Sequence, residues 1–320
     1  MHLSPSLRPI ARRFSAKRLS PLVSNGTMIL VLALMLLPIL LTLATSFKQQ
    51  DDVLRKPPVL FPCDGPDGTF GLQHCRFVVE GYERVIAPQP APEALLGVRL
   101  TGRMINTYVP NTLFYALSSS ALVFVLAGLA GYAFSRYRFR GRRLLLVAIL
   151  AITGIPLLTN LLALYQMAVD LRKAGIPGYD ERMFVVLVYV GFQLPFAVWV
   201  AKGFFDTVPR ELEEAALIDG CSPLGTLWRI SIPLAMPGLI AAALLCFVSV
   251  WNEFIAGFLL LTRREVRTAM FGLYDFLSQN IINYQVIAAA CVLIAAPVVV
   301  LFLFTRRAFF EAMTEGAVKG

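Results

Sequence analysis

Glu211-Leu-Glu-Glu-Ala-Ala-Leu-Ile-Asp-Gly220, followed nine residues later by Ile230-Ser-Ile-Pro233, is a polar, helix-forming stretch lodged between long apolar runs. Pro209 is suited to the first turn of a helix, where no amide bond is lost. Glu211, Glu213 and Glu214 then fall near the N-terminus, where the helix dipole favours acid. Gly220 is a natural stop. Ser222 and Pro223 fit the cap and first turn of a second short helix, and Pro233 is expected to end that run. An amphipathic helix resting on lipid usually carries Lys and Arg on its polar face. This one is acidic, which favours a protein partner over a lipid surface.

The surrounding sequence defines what holds this stretch. Hydrophobic residues make up 57% of the 320 positions and charged residues 15%, a balance that points to several membrane spans. A spanning helix needs about 20 mostly apolar residues. Six stretches qualify: Met28–Phe47, Tyr108–Phe134, Leu144–Met167, Met183–Ala201, Pro237–Leu261 and Gln285–Thr305. No stretch has the short alternating pattern of a transmembrane β-barrel. The expected fold class is an all-α membrane protein with six spans. Its segments are a tail over 1–27, a first span over 28–47, a loop over 48–106, a five-helix core over 107–305 containing the polar loop 205–236, and a tail over 306–320.

Charge orients these spans. Arg8, Arg12, Arg13, Lys17 and Arg18 precede the first. Arg136, Arg138, Arg140, Arg142 and Arg143 crowd the loop after the second. Lys202, Arg210, Arg229, Arg306, Arg307 and Lys319 lie on the same side. The short opposite loops hold only Arg172, Lys173, Arg182, Arg263, Arg264 and Arg267. The positive-inside rule therefore places both termini and the acidic stretch in the cytoplasm. The net charge of +9 is mainly a topology signal, since nucleic-acid binding would need a soluble basic face. The first apolar run is longer than a typical signal-peptide core and reads as an uncleaved span.

The loop from Lys48 to Asn106 is rich in Pro and Gly and small for an independent core. Its two cysteines, Cys63 and Cys75, are compatible with a disulfide outside the membrane or with two free thiols. Cys221, Cys246 and Cys291 read as small apolar packing groups. Pro38, Pro156, Pro195 and Pro297 interrupt spans and are expected to kink them.

The inventory argues against an enzyme. The two histidines, His2 and His74, lie at the terminus and in the outer loop. There is no His-Glu-x-x-His or paired Cys-x-x-Cys metal spacing, and no Gly-Lys dipeptide from which to build a P-loop. ATP-driven transport would therefore need a partner chain. Glu253, in Trp251-Asn252-Glu253-Phe254, is the one acid well inside a span. A group at that depth must face protein or water. It lines a translocation path or bonds a neighbouring helix, and both readings stay open. Asn160, Gln166 and Gln193 add polar groups that line a path or join helices.

Glu214-Ala215-Ala216, then Gly220, then nine residues, then Ile230-x-Ile-Pro233 resembles the EAA motif of ABC-transporter permease subunits, with Ile232 where the pattern usually has Leu. Tyr132-Ala-Phe-Ser-Arg136 with Phe139-Arg-Gly-Arg142, Trp251–Phe254, and Gly316-Ala-Val-Lys-Gly320 look like the maltose-type sugar permeases. The resemblance covers about Asn106 to Gly320; the outer loop Lys48–Ile105 is longer than that subfamily has.

The resemblance implies a type I importer permease fold in a bacterial or archaeal plasma membrane. Glu214, Ala215, Ala216, Asp219 and Gly220, with Ile230 and Pro233, would form the coupling helix and turn seated on a cytoplasmic ATPase dimer. Glu214 would pair with a basic residue there. ATP and Mg would bind the ATPases and not this chain, which would hold no catalytic residue, metal or cofactor. A second related permease would complete a heterodimer, and a solute-binding protein would deliver sugar against the loop Thr262–Tyr284. The tail Glu311–Gly320 would reach toward the ATPases. Trp251, Asn252, Glu253, Asn160 and Gln193 are the candidate path residues. Two other readings remain: an ABC permease for polyamines, amino acids or glycerol phosphate, and a secondary transporter or channel that works alone.

Overall fold

The computed structural model describes residues 16–54, 61–63, 71, 75–86, 104–277 and 283–317, with the backbone alone over 16–22, at 157 and over 307–317. Much of the outer loop, including His74, and the basic residues Arg8, Arg12 and Arg13 lie outside the described residues. Every element among the described residues is helical. In chain order they are α1 (Ala16–Ser46), α2 (Gln50–Leu54), α3 (Glu80–Ile86), α4 (Val109–Arg136), α5 (Arg142–Ile152), α6 (Leu157–Lys173) and α7 (Glu181–Thr207). There follow α8 (Arg210–Ile218), α9 (Pro223–Thr226), α10 (Ile232–Trp251), α11 (Ile255–Leu260), α12 (Ala269–Leu277) and α13 (Tyr284–Ala317). π-helical turns at Met104–Tyr108 and Leu227–Ser231 lead directly into α4 and α10.

Among the described residues, five helices are long and apolar enough to cross a membrane: Val23–Ser46, Met104–Arg136, Glu181–Thr207, Pro223–Trp251 and Tyr284–Arg306. The third expected span, Leu144–Met167, is not one of them. It is split into the 11-residue α5 and the 17-residue α6. Pro156 disfavours helical geometry at Ile155. The chain closes α5 with three tight turns, Thr153 N to Leu150 O, Gly154 N to Ala151 O and Ile155 N to Ile152 O, at 3.0–3.1 Å. It restarts with Pro156 at the N-cap. The apolar run continues across the break, so hydropathy alone cannot reveal it.

The fifth expected span, Pro237–Leu261, is shifted. Its helix begins at Pro223 and stops at Trp251. Pro233 does not end the preceding run. The turn before it is wide: the Ile232 N–H reaches back five residues to the Leu227 carbonyl. A proline near a helix start loses little, and helix continues through it. At the other boundary α13 runs on to Ala317, so the expected tail from 306 is helical through that residue.

α4, α7 and α10 pack on one another and form the core, α13 leans on α10, and α1 leans on α13. α1 is exposed from Val23 through Leu40. Apolar surface gives little drive to helix association in lipid, so close approach of small residues matters more. At Gly131 of α4, an added Cβ would stand 2.7 Å from the Ala201 Cβ of α7. One end of this core is closed by side-chain bonds to chain segments. The Tyr115 hydroxyl donates to Val266 O at 2.6 Å, and Asn111 Nδ2 donates to Glu265 O at 2.7 Å. Buried Glu181 accepts from the Thr262 backbone N–H at 3.0 Å and the Thr262 hydroxyl at 2.8 Å.

Gly131→Val is expected to force α4 from α7, at a cost of about 1–3 kcal/mol. Thermal unfolding in detergent should show a lowered midpoint. Gly203→Ala on α7, where nothing lies within 4 Å of the added carbon, should leave the midpoint in place.

Candidate functional site

The polar stretch folds as the helical hairpin its residues call for. Pro209 is the N-cap of α8 and not its first turn, with ψ of 133°. α8 ends in a Schellman motif: Cys221 N–H bonds Ala216 O at 2.9 Å and Gly220 N–H bonds Leu217 O at 3.2 Å. Gly220 has φ of +87°, a left-handed conformation that any side chain would strain. Ser222 caps α9, its hydroxyl accepting the Gly225 N–H at 3.1 Å. α9 runs through the π turn that holds Ile230 into α10, where Pro233 is exposed.

The two faces of α8 differ. Glu211, Leu212, Glu214, Ala215, Leu217, Ile218 and Asp219 are exposed, whereas Glu213 and Ala216 are buried. Glu213 and Ala216 stand three residues apart and therefore share a face. Ala216 is covered by the chain itself, so of the motif's alanines only Ala215 is presented outward. Leu212, Leu217 and Ile218 of α8, Leu224 of α9 and Trp228 in the turn after it expose large apolar surface.

Glu213 is held from two directions. Arg136, the last residue of α4, places Nε 2.9 and 2.8 Å from its two carboxylate oxygens. The Ser231 hydroxyl, in the turn leading to α10, donates to Oε1 at 2.7 Å. Arg136 also donates to Val208 O at 2.9 Å and to the Ser135 hydroxyl oxygen at 3.1 Å. Ser135 donates onward to Asp206 at 2.6 Å, and Arg210 donates to Ser135 O at 3.2 Å. The paired side chains of Arg136 and Glu213 are 9% and 10% exposed. Neither Glu213 nor Ser231 is singled out by the sequence motif. The spacing to Ala216 is the signal that could have marked Glu213.

The second group of candidates lies where α10 breaks. Glu253 caps α11: Oε1 accepts the Ala256 N–H at 2.7 Å and Oε2 the Gly257 N–H at 3.1 Å. The Tyr189 hydroxyl of α7 donates to Oε2 at 2.8 Å. Gln193 of α7 donates to the Ser249 hydroxyl oxygen of α10 at 2.5 Å, and Asn252 Nδ2 donates to Val248 O at 2.8 Å. Gln193, Glu253 and their partners thus join α7 to the broken span. Trp251 is buried, stacked on Phe247 at 5.6 Å and donating to Ile294 O of α13 at 3.2 Å. Asn160 stands apart, half-buried on α6. Cys63 and Cys75 are disulfide-bonded.

The family model described as binding-protein-dependent transport system inner membrane component matches residues 124–314. The chain belongs to this family. The hairpin, the Glu213 pocket and the α10 break all fall inside the matched range. Among relatives of this transport component, the maltodextrin transport system permease protein MdxG of Bacillus subtilis is 37% identical over 217 residues, 68% of this chain and 76% of its own. The trehalose transport system permease protein SugB of Mycobacterium tuberculosis is 31% identical over 221 residues, 68% of this chain and 79% of its own. The fold is shared with a chain of a bacterial ABC transporter involved in the import of the acidic polysaccharide alginate. That match has a TM-score of 0.66 at 21% identity, and covers 96% of this chain and 100% of the other.

Glu253→Gln removes one of the two carboxylate oxygens that accept the α11 amides and Tyr189. The expected cost is about 1–3 kcal/mol, read as a lower unfolding midpoint in detergent. An unchanged midpoint would show that water replaces the cap.

Proposed function

We propose that this chain is one of two related permeases in an ATP-driven sugar importer, and that α8 and α9 form the hairpin that docks on a cytoplasmic ATPase. The observation that carries this reading is the orientation of Glu214. Glu214 is exposed, with exposed Leu217 and Ile218 three and four residues on along the same side of the helix, while Glu213 and Ala216 are buried against the chain. An exposed carboxylate beside exposed apolar side chains fits a groove lined by apolar residues with a basic partner inside. Asp219 and Gly220 shape the turn beside it.

In this scheme the ATPases, not this chain, bind ATP and Mg. Closing of their dimer on ATP draws the two permeases' hairpins together, and the spans switch between outward- and inward-facing states. A solute-binding protein delivers the cargo to the opposite end, where the loop Thr262–Tyr284 lies. The basic clusters beside the hairpin support its cytoplasmic placement, with both termini on the same side. The printed roles of the maltodextrin and trehalose relatives support a carbohydrate cargo. Gln193, Asn252 and Glu253, with Asn160, are the polar groups proposed for the path. Trp251 supports them from behind.

Glu214→Lys and Gly220→Pro are the test. Both should abolish uptake and the stimulation of ATP hydrolysis by loaded binding protein, with the chain present in the membrane at its normal level. Normal uptake in both variants would contradict the docking assignment.

A further inference from the structure

We propose that Arg136, Glu213 and Ser231 are positioning residues that latch the hairpin to α4 and α10, so that the three move as one body when the hairpin is displaced. The proposal rests on the ATPase-docking reading of Glu214 and says how the docking motion reaches the spans.

The need for a latch follows from the chain path. The hairpin meets the end of α7 through Val208 and Pro209, both extended with ψ of 121° and 133°. α8 meets α9 through Asp219–Ser222, with Gly220 at φ +87°. Neither link is helical. A push or pull on α8 carried by the backbone alone would be absorbed at these joints.

The buried side chains bypass both joints. Arg136 terminates α4 and holds Glu213 at 2.8 Å and Val208 O at 2.9 Å. Its one guanidinium therefore fastens α4 to α8 and to the link that follows α7. Ser231 fastens the same carboxylate to the turn that begins α10, at 2.7 Å. Arg210 and Asp206 add bonds to Ser135 on either side. Apolar packing would permit α8 to slide along its axis. Charge-assisted hydrogen bonds to one carboxylate fix its register as well as its distance. Glu214, the adjacent residue, is turned about 100° around the helix and is exposed. The two glutamates divide the work: Glu214 meets the partner and Glu213 conveys the displacement.

The test uses the complete transporter in liposomes, with ATPases and binding protein. It reads two quantities for each variant: ATPase retained on purification, and ATP hydrolysed per sugar imported. Glu213→Gln should retain the ATPase yet raise the hydrolysis-to-import ratio about tenfold, within the usual range of coupling effects. The reversed pair, Arg136→Glu with Glu213→Arg, should recover part of the coupling. Glu214→Lys should lose the ATPase itself. Ser231→Ala, which keeps the ion pair, should raise the ratio by less, and with Arg136→Lys it carries the test if Glu213→Gln does not accumulate.

A normal ratio in Glu213→Gln, or in both Ser231→Ala and Arg136→Lys, overturns the latch. Loss of the ATPase by Glu213→Gln, as in Glu214→Lys, also overturns it, because Glu213 would then be part of the docking surface. If Glu214→Lys instead keeps the ATPase and transports normally, the docking reading has failed and the latch falls with it.

Discussion

The buried contact between Arg136 and Glu213 is the interaction on which the arrangement of the functional end depends. It joins residues 77 apart in the chain and brings the end of α4, the link after α7, α8 and the start of α10 to one point. Burying two charges is costly, and the attraction between them recovers that cost only when the remaining hydrogen-bonding capacity is filled. Ser231, Val208 and Ser135 fill it here. Removing one partner would strand the other, a loss of about 3–5 kcal/mol. The pair therefore holds α8 in one orientation, with Glu214 outward.

Carboxylates fasten the chain at two other places. Glu181, at the start of α7, fastens the chain that follows α11 through Thr262. Glu253, at the break after α10, collects two amides and the Tyr189 hydroxyl. Glu181 and Glu253 accept backbone amides where the chain leaves regular helix and lipid offers no partner. Between these fastened ends, α4 and α7 touch through small residues such as Gly131 and Ala201, with few polar bonds to resist a shift. A core tied at its ends and smooth in between suits a protein that must change the relation of its spans without unfolding them.

Much of this was legible in the residues. The apolar runs locate the long helices, and Gly220, Ser222 and Pro223 specify the stop, cap and start of the hairpin. The less legible features have physical reasons. Three acids in four residues at Glu211, Glu213 and Glu214 leave open which one turns inward. Only the shared face with Ala216 and the distant Arg136 decide it. The break at Pro156 is hidden because hydropathy is indifferent to backbone geometry. Pro233 reads as a terminator only if the preceding turn is of ordinary width. A π turn supplies the extra residue that lets helix continue. Nothing in the residues around Glu253 marks Tyr189, 64 positions earlier, as its hydrogen-bond partner.

The central claim is that the outward face of α8 meets an ATPase. A photoreactive amino acid at Ile218, 86% exposed, tests it most directly in cells expressing the whole transporter. Illumination should yield an adduct of this chain with the ATPase subunit, and the same probe at Phe77, exposed beyond the other end of the core, should not. Absence of the ATPase adduct from Ile218, with the transporter assembled and active, would contradict the account.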